Sequence, residues 1–153
     1  MNKVESPILI RPATERDQRL IWRSVLGAGL NPLHLHWQNF VLAENGEGEF
    51  LGCGQMKPHR DGSLELASIY VIPEERGRGI ASAIIGVLLE AQSCSVWLTC
   101  RRDLTEFYAR FEFIEIHSPE RMPAYFRRLK RLMGLFSFVS AENRLAVMCW
   151  RIK

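Results

Sequence analysis

Along the chain, segments whose hydrophobic residues recur at every second position, as in strands, alternate with segments whose hydrophobic residues recur at every third or fourth position, as in helices. Short apolar runs bounded by turn residues predict strands over 8–11, 40–43, 50–57, 63–72, 95–100, 113–117 and 145–152. Apolar residues three or four positions apart predict helices over 15–26, 80–91 and 104–111, and a further helical stretch from Pro32 to Phe40. The last strand is expected to close the sheet. The order predicts an α/β fold, a mixed sheet with helices on both faces.

Residues 69–92 carry the most informative local pattern, a strand, a glycine loop and a helix in direct succession. The helical pattern follows the loop at once, and its predicted apolar face consists of Ile80, Ala83, Ile84, Val87, Leu88 and Ala91. A helix N-terminus offers free N–H groups and the positive end of the helix dipole. Gly77 and Gly79 allow a ligand to approach the main chain, and Arg76 and Arg78 suit phosphate oxygens. The segment predicts a site for a polyanionic ligand.

Two common phosphate motifs do not fit this loop. A nucleoside triphosphatase loop requires GxxxxGK[ST], and no Lys follows the glycines here. The dinucleotide fingerprint GxGxxG fails because Ser82 stands at its third glycine, and the loop lies in the middle of the chain. A turn that needs glycine for its geometry alone stays open as the alternative.

The pattern V-x-P-x-x-R-G-x-G-I-A, from Val71 to Ala81, resembles the acetyl-CoA motif of the GCN5-related N-acetyltransferases, the GNAT family. The family signature [QR]-x-x-G-x-[GA] is matched by Arg76, Gly79 and Ala81. Downstream, Phe107-Tyr108-x-x-Phe111-x-Phe113 is similar to the family segment F-Y-x-x-x-G-F. The matching segments cover about residues 64–116. The resemblance implies the GNAT fold, and transfer of an acetyl group from acetyl-CoA to a primary amine.

The resemblance also implies which residues bind the acetyl-CoA. The pantetheine arm is expected along Tyr70, Val71 and Ile72, with the Val71 N–H polarising the thioester carbonyl. The diphosphate is expected on the loop and the first helical turn. These diphosphate-binding residues are Arg76, Gly77, Arg78, Gly79, Ile80, Ala81 and Ser82.

Two residues are candidates for proton transfer. Glu65 lies eleven positions before Arg76, where the resemblance places a general base. A solvated strand residue is the alternative for Glu65, and alternation places it on the face of Ala67, Ile69 and Val71. Tyr108 corresponds to the family's general acid, since a phenol keeps its proton until a thiolate needs it. A core-facing aromatic is the alternative for Tyr108.

The sequence departs from the family pattern at two places. Glu112 stands where the family most often has glycine, so the turn or its backbone angle is expected to differ. The asparagine often found in the family before the tyrosine is missing, and Arg101, Arg102 and Asp103 stand there instead. Arg101 or Arg102 could contact a cofactor phosphate or an acidic substrate, and surface charges are the alternative. His34 and His36 lie in the region that contacts acceptors in the family, but they are better explained as loop residues.

Composition places the chain among ordinary globular proteins. Its 153 residues are 47% hydrophobic and 24% charged, which favours one domain over residues 1–153. No apolar run approaches the roughly 20 residues of a membrane span, and the first residues have no signal-peptide pattern. Cys53, Cys94, Cys100 and Cys149 lack metal-ligand spacing, so we expect reduced thiols, no bound metal and a cytoplasmic protein.

Residues 118–138 concentrate positive charge. They carry five basic side chains and one acidic side chain, although the whole chain has a formal net charge of +3. Apolar residues at helical spacing make this a basic amphipathic helix. A surface helix packed on the sheet is the simpler interpretation. A wall for acidic acceptors, or a patch for membranes or nucleic acid, is the functional alternative.

The sequence therefore predicts an acetyl-CoA-dependent N-acetyltransferase acting by direct attack in a ternary complex. Cys53 or Cys100 as a nucleophile would need a partner histidine, and no histidine has a telling spacing. The acceptor is expected to be an amine-bearing small molecule or peptide, and a homodimer stays open. A non-catalytic CoA-binding regulatory domain is the alternative function. Binding of nucleic acid or a membrane surface through residues 118–138 is a weaker one.

Overall fold

The computed structural model of the chain describes residues 6–135 and 144–152. Its strands are β1 (Leu9–Pro12), β2 (Phe40–Glu44), β3 (Phe50–Pro58), β4 (Leu64–Val71), β5 (Val96–Arg101), β6 (Ile114–Glu115) and β7 (Leu145–Trp150). Its α-helices are α1 (Gln18–Gly27), α2 (Ile80–Glu90), α3 (Thr105–Ala109) and α4 (Ala124–Leu135). Short 3-10 helices lie at Glu15–Asp17, Trp37–Asn39, Pro73–Glu75, Arg102–Leu104 and Pro119–Arg121.

The strands form one sheet in the order β1-β2-β3-β4-β5-β7-β6. β4 and β5 are parallel, whereas β1 and β2, β2 and β3, β5 and β7, and β6 and β7 are antiparallel. The predicted mixed α/β sheet is confirmed. The last strand does not close the sheet at its edge as expected, because β7 lies between β5 and β6 and pairs with both.

The chain divides into two compact units. The first consists of the described residues of Met1–Lys57 together with Leu66–Ala91, and the second of Pro58–Glu65 with the described residues of Gln92–Lys153. β4 belongs to both units, because its first two residues lie in the second unit and the others in the first.

In the first unit, α2 packs through a different face from the one predicted. Its buried residues are Ile80, Ile84, Ile85, Leu88 and Leu89. Val87, expected in that face, is 41% exposed. Gly54 of β3 has no side chain, and Ile84 and Leu88 occupy the space that a side chain would fill. Because α2 is apolar on most sides, the shape of the sheet decides which of its residues become buried.

The predicted helical stretch after Pro32 is wrong, since only the 3-10 turn Trp37–Asn39 forms there. The Gln18 side chain donates to the Leu35 carbonyl at 2.7 Å and accepts from the Trp37 N–H at 3.0 Å. Asn31 accepts from the Leu33 N–H at 3.0 Å. Side chains thus satisfy backbone groups that a helix would have paired internally.

In the second unit, α4 packs its buried Phe126 against Trp97 of β5, with ring centroids 5.6 Å apart. The other buried members of this core are Ile116, Met122, Val147 and Cys149. The predicted amphipathic helix is confirmed over Ala124–Leu135, but Leu132, expected in its apolar stripe, is 56% exposed. The part of residues 118–138 after Leu135 lies outside the described residues.

The two glycines Gly52 and Gly86 should respond in opposite directions to the same change. A Cβ at Gly52 would clash with the Tyr70 carbonyl oxygen and lie 3.2 Å from the Val71 Cα atom. Gly52→Ala should therefore lower the free energy of unfolding by about 1–3 kcal/mol. Gly86 lies inside α2 with open space around it, so Gly86→Ala should raise that free energy by roughly 0.5–1 kcal/mol.

Urea denaturation of both variants measures this difference. Equal effects of the two substitutions would contradict the close approach of β3 to the end of β4.

Candidate active site

The loop between β4 and α2 has the backbone of a ligand-binding turn. Gly77 has φ 79° and Gly79 has φ 76°, angles that strain any residue with a Cβ. Gly79 is the N-cap of α2, and the Ala83 N–H donates to its carbonyl at 3.0 Å. The N–H groups of the preceding helical residues, 80–82, have no partner within the helix. Three main-chain donors and the positive helix end therefore lie at the loop, which suits an anion.

The two arginines of the loop are held in different ways. The Arg76 Nε atom donates to the Val71 carbonyl at 3.1 Å, which ties the loop to the end of β4. Arg78 forms an ion pair with Glu75. Both arginines are exposed residues. Their positions place positive charge around the glycine turn, and among the residues that the structure describes Arg78 pairs with a carboxylate there.

β4 carries an irregularity at Ser68, which has φ 56° and interrupts the strict alternation expected from sequence. Its hydroxyl accepts a hydrogen bond from the Gln55 Nε2 atom at 2.9 Å. Tyr70, two residues further, is half-buried and stacks on Phe50 with centroids 6.4 Å apart. The strand therefore presents polar and aromatic groups on its way to the loop.

Gln55 is a site candidate that sequence reasoning missed. Its side chain is fully buried, and its Oε1 atom has no hydrogen-bond partner among the described residues. A buried acceptor without a partner costs about 1–3 kcal/mol, so a ligand N–H or O–H would be favoured there. The available signal was a glutamine within the otherwise apolar, glycine-rich run of β3.

Glu65 is buried, so the alternative that it is a solvated strand residue is wrong. Its Oε2 atom lies 2.7 Å from the His59 Nε2 atom, and both side chains are 8% exposed. The His59 ring stacks on Tyr125 of α4 with centroids 3.6 Å apart. Burial, followed by the charge of Glu65, raises the pKa of Tyr125. Sequence reasoning missed His59 and Tyr125, because only a folded hairpin turn and helix bring them to Glu65.

Tyr108 lies on α3 in a cluster of aromatic rings. Its ring is 5.1 Å from Phe107 and 6.1 Å from Phe113 between centroids. Burial, with a smaller contribution from Cys100, raises the pKa of Tyr108 to about 12. The phenol therefore keeps its proton across the physiological range and can donate it to a stronger base.

Glu112 adopts the conformation of a glycine. Its φ is 69°, so the expected change of backbone angle at this position is not observed. The Glu112 N–H donates to the Ala109 carbonyl at 2.9 Å, and the Phe113 N–H donates to the Tyr108 carbonyl at 3.4 Å. These two bonds and the Tyr108–Phe113 ring contact form the Schellman motif that ends α3. This motif explains why a glycine is favourable there.

The remaining candidate residues pair at the surface. Arg101 contacts Asp103 at 2.7 Å and Arg102 contacts Glu115 at 3.0 Å, as exposed ion pairs that contribute little to stability. In the 118–138 segment, Arg127 donates to the Pro119 and Met122 carbonyls, and Lys130 donates to the His117 carbonyl. These bonds favour the simpler interpretation of α4 as a surface helix. His34 and His36 are exposed.

The cysteines are free thiols, with Cys94 exposed and the other three buried. Burial raises the pKa of Cys53 to about 12 and, with nearby carboxylates, that of Cys100 to about 11. Both thiols stay protonated near neutral pH, which disfavours them as nucleophiles. Over residues 6–135 and 144–152, no cluster of acidic, His or Cys side chains could hold a metal ion. No helix in this part of the chain is long and apolar enough to cross a bilayer.

The comparisons with known proteins agree with this arrangement. The family model described as an acetyltransferase (GNAT) domain matches residues 36–115. Its match spans the turn before β2, strands β2 to β6, α2 and α3. No curated protein sequence matches the chain.

Solved structures share the fold at low sequence identity. N-acetylglutamate synthase from Neisseria gonorrhoeae, complexed with coenzyme A and N-acetyl-glutamate, has a TM-score of 0.74 and 19% identity over 97% of this chain. This chain spans only 36% of that protein. Rv2747 from Mycobacterium tuberculosis, in complex with CoA and NLQ, has a TM-score of 0.72 and 23% identity, with coverage of 95% of this chain and 99% of that one.

A third similar structure is the diaminobutyrate acetyltransferase EctA from Paenibacillus lautus, in complex with L-2,4-diaminobutyric acid and coenzyme A. Its TM-score is 0.62 at 16% identity, and the match covers 94% of each chain. These similarities confirm the GNAT fold that the motifs implied.

Relief of backbone strain at Glu112 should be measurable. Glu112→Gly and Glu112→Ala both remove the side chain, but only glycine relaxes the left-handed conformation. The glycine variant should therefore be more stable than the alanine variant by about 1 kcal/mol. Thermal and urea unfolding of the two variants give the difference. An alanine variant as stable as the glycine variant would contradict the strained helix end.

Proposed function

This chain belongs to the GNAT acetyltransferase family, and from that premise we propose that it transfers the acetyl group of acetyl-CoA to a primary amine. The family model matches slightly more than half of the residues. We propose direct attack of the amine on the thioester in a ternary complex, carried out by one domain formed by residues 1–153. The acetyl-CoA loop is the observation that carries the proposal, because its two glycines and helix N-terminus have the backbone that the motif requires.

The loop would bind the diphosphate of acetyl-CoA. Main-chain N–H groups of residues 80–82 and the helix dipole suit the phosphate oxygens, and open space surrounds the α-carbons of Gly77 and Gly79. Arg76 would add a positive charge beside the diphosphate. Arg78 would leave its ion pair with Glu75 and bind a phosphate oxygen instead. The pantetheine arm would lie along Tyr70, Val71 and Ile72. The Val71 N–H would polarise the thioester carbonyl.

Acetyl transfer needs a neutral amine and a proton for the leaving thiolate. An amine of pKa near 10 is protonated at neutral pH, so a base must take its proton, and Glu65 is the proposed base. Its burial beside His59 supports the role, because a packed and hydrogen-bonded carboxylate is held in one orientation. Tyr108 is the proposed acid. Its raised pKa means that the phenol still carries its proton when the thiolate leaves.

The acceptor we propose is an amine-bearing small molecule, with an amino acid as the first class to examine and a peptide as the second. Two of the similar structures hold N-acetyl-glutamate and L-2,4-diaminobutyric acid, ligands of those proteins. The unpartnered Gln55 Oε1 atom favours an acceptor that presents a hydrogen-bond donor. A cytoplasmic location and a homodimer stay predictions.

Release of free thiol from acetyl-CoA in the presence of amino acids, polyamines and peptides tests the proposed function. We expect one class to give thiol release well above hydrolysis. CoA should also raise the melting temperature of the wild type. Arg76→Ala should weaken CoA binding about tenfold to a hundredfold, as expected for the loss of a charge-assisted hydrogen bond of roughly 1.5–3 kcal/mol.

Arg23→Ala is the matched control, since Arg23 is an exposed residue of α1 and the substitution makes the same charge change. A thermal shift without thiol release for any amine would instead favour the non-catalytic CoA-binding alternative. Absence of any shift would contradict the family role for this chain.

Tyr108→Phe should lower kcat by about a hundredfold, within the roughly 10²–10⁴-fold that a positioned acid contributes. The thermal shift with CoA should be unchanged, because the substitution removes only the hydroxyl. Since burial raises the pKa of Tyr108 to about 12, the wild-type kcat should show no decline from its deprotonation at any pH up to 10. Steady-state kinetics from pH 6 to 10 measure both effects. An unchanged kcat in Tyr108→Phe would exclude the phenol as the acid.

A further inference from the structure

His59 and Glu65 form a buried pair within the second unit. The His59 Nε2 atom lies 2.7 Å from the Glu65 Oε2 atom, and each side chain is 8% exposed. His59 follows the last residue of β3 and opens a tight turn. The turn is closed by the His59 N–H, which donates to the Ser63 carbonyl at 2.9 Å, and by the Gly62 N–H, which donates to the His59 carbonyl at 3.0 Å. The backbone on which the imidazole stands is therefore fixed.

Aromatic side chains of α4 hold the imidazole ring from two directions. Tyr125 stacks on it with centroids 3.6 Å apart and planes 18° apart, and Phe126 meets it edge-on at 5.7 Å and 85°. The Tyr125 backbone N–H donates to an Asp61 carboxylate oxygen at 2.8 Å, which ties the turn to the first residues of α4. Rotation of the ring would break both aromatic contacts, so the direction of Nε2 is set by packing.

This pairing resolves the energetic problem of a buried carboxylate at Glu65. A carboxylate taken out of water without a partner is strongly disfavoured, and it would become protonated and lose its basicity. An ionised carboxylate can only accept, so a base at Glu65 requires the hydrogen of this bond on the His59 Nε2 atom. The charge of Asp61 also acts on His59, and the phenol of Tyr125 lies beside Glu65.

The hydrogen bond engages only one oxygen of the Glu65 carboxylate. The oxygen engaged is Oε2. A buried carboxylate held at one oxygen by a fixed donor is the arrangement of an oriented base.

We propose that His59 is the positioning residue of Glu65, an inference that rests on the acetyl transfer proposed above. The Nε2–H of His59 holds the Glu65 carboxylate through its Oε2 atom and so fixes the orientation in which the carboxylate would meet the acceptor amine. α4 contributes by clamping the imidazole through Tyr125. The helix inserted between β6 and β7 thus acquires a role in the reaction through its aromatic residues, separate from its basic ones.

The proton transfer that this arrangement serves is balanced. One N–H bond of the acceptor ammonium breaks, its proton moves to the Glu65 carboxylate, and the nitrogen keeps the electron pair. That pair attacks the thioester carbon, and the carbon–sulfur bond breaks with its electrons on sulfur. A second proton leaves the nitrogen as the amide forms. In sum, one proton ends on the thiol of CoA and one reaches solvent.

A second histidine–glutamate pair in the same unit supplies an internal comparison. The His117 Nδ1 atom lies 3.5 Å from a Glu115 oxygen, and its side chain is 74% exposed. The chemical groups are the same, but the burial and the short hydrogen bond are missing. His117→Ala is therefore the matched control for His59→Ala.

The test compares His59→Ala, His59→Gln and His117→Ala in the full chain, with kcat and KM determined for the amine and for acetyl-CoA. His59→Ala should lower kcat about tenfold to a hundredfold, a part of the roughly 10²–10⁴-fold that a general base contributes. KM for acetyl-CoA should be unchanged. His59→Gln keeps an N–H donor and should recover most of the lost kcat, and His117→Ala should match the wild type.

Nitrogen-15 NMR of the imidazole rings gives a readout that needs no turnover. The His59 signal, assigned by its loss in His59→Gln, should show a hydrogen on Nε2, and Glu65→Gln should shift that signal. A His59 ring without hydrogen on Nε2 would overturn the proposal even if the protein had no acetyltransferase activity.

The remaining outcomes separate this inference from the proposed function. No acetyl transfer by the wild type, with the expected NMR signals, would overturn the proposed function and the catalytic role of the pair while leaving the hydrogen bond established. Wild-type transfer with an unchanged kcat in His59→Ala would overturn the positioning role alone. If His59→Ala does not fold, His59→Gln decides: a kcat near that of the wild type supports the role, and a kcat as low as that of Glu65→Gln overturns it.

Discussion

The course of β4 is the constraint on which the rest of the structure depends. The strand runs from Leu64 to Val71, and Glu65 near its start pairs in parallel with Trp97 of β5. The positive φ of Ser68 interrupts the regular alternation of its side chains. The Val71 carbonyl accepts a hydrogen bond from the Arg76 side chain, and the glycine turn lies just after this arginine. One strand thus carries a buried carboxylate near its start, in the second unit, and is followed by the glycine turn, in the first. A change of register along β4 would displace both.

Groups proposed to act on a ligand are held in advance by neighbours that do not need the ligand. His59 orients the carboxylate of Glu65, and the Schellman motif at Glu112 fixes the end of the helix that carries Tyr108. Arg76 is held by a main-chain carbonyl. Such pre-organisation lowers the entropic cost of binding and of reaching the reactive geometry. The strain at Glu112 is tolerated in the same region as the proposed acid.

The order of strands and helices, and the position of the glycine turn, could be predicted from the sequence because each depends on residues that are close together along the chain. Gly77 and Gly79 stand where a positive φ is needed, and no long-range contact is required to see it. The helix predicted after Pro32 failed because Gln18, far along the chain, binds the backbone there. The place of β7 inside the sheet depends on pairing that periodicity does not encode.

The same physical reason limits what the sequence indicates about the proposed site. Motif residues such as Tyr108 follow from spacing, whereas His59 and Gln55 matter only through partners that the hairpin and β4 bring to them. Burial of Glu65 and the carbonyl contact of Arg76 likewise arise from packing across strands and turns. Local patterns led to the residues proposed for acetyl-CoA, whereas the contacts proposed to support the chemistry are visible only in the folded chain.

Transfer of isotopically labelled acetyl from acetyl-CoA, followed by mass spectrometry of protein and amine, tests the central claim most directly. The account predicts labelled N-acetyl amine, one free CoA for each amide formed, and no acetyl group on the protein when the amine is omitted. Labelled acetyl on Cys53 or Cys100 before the amine is added, or no labelled amide with any amine class, would contradict it.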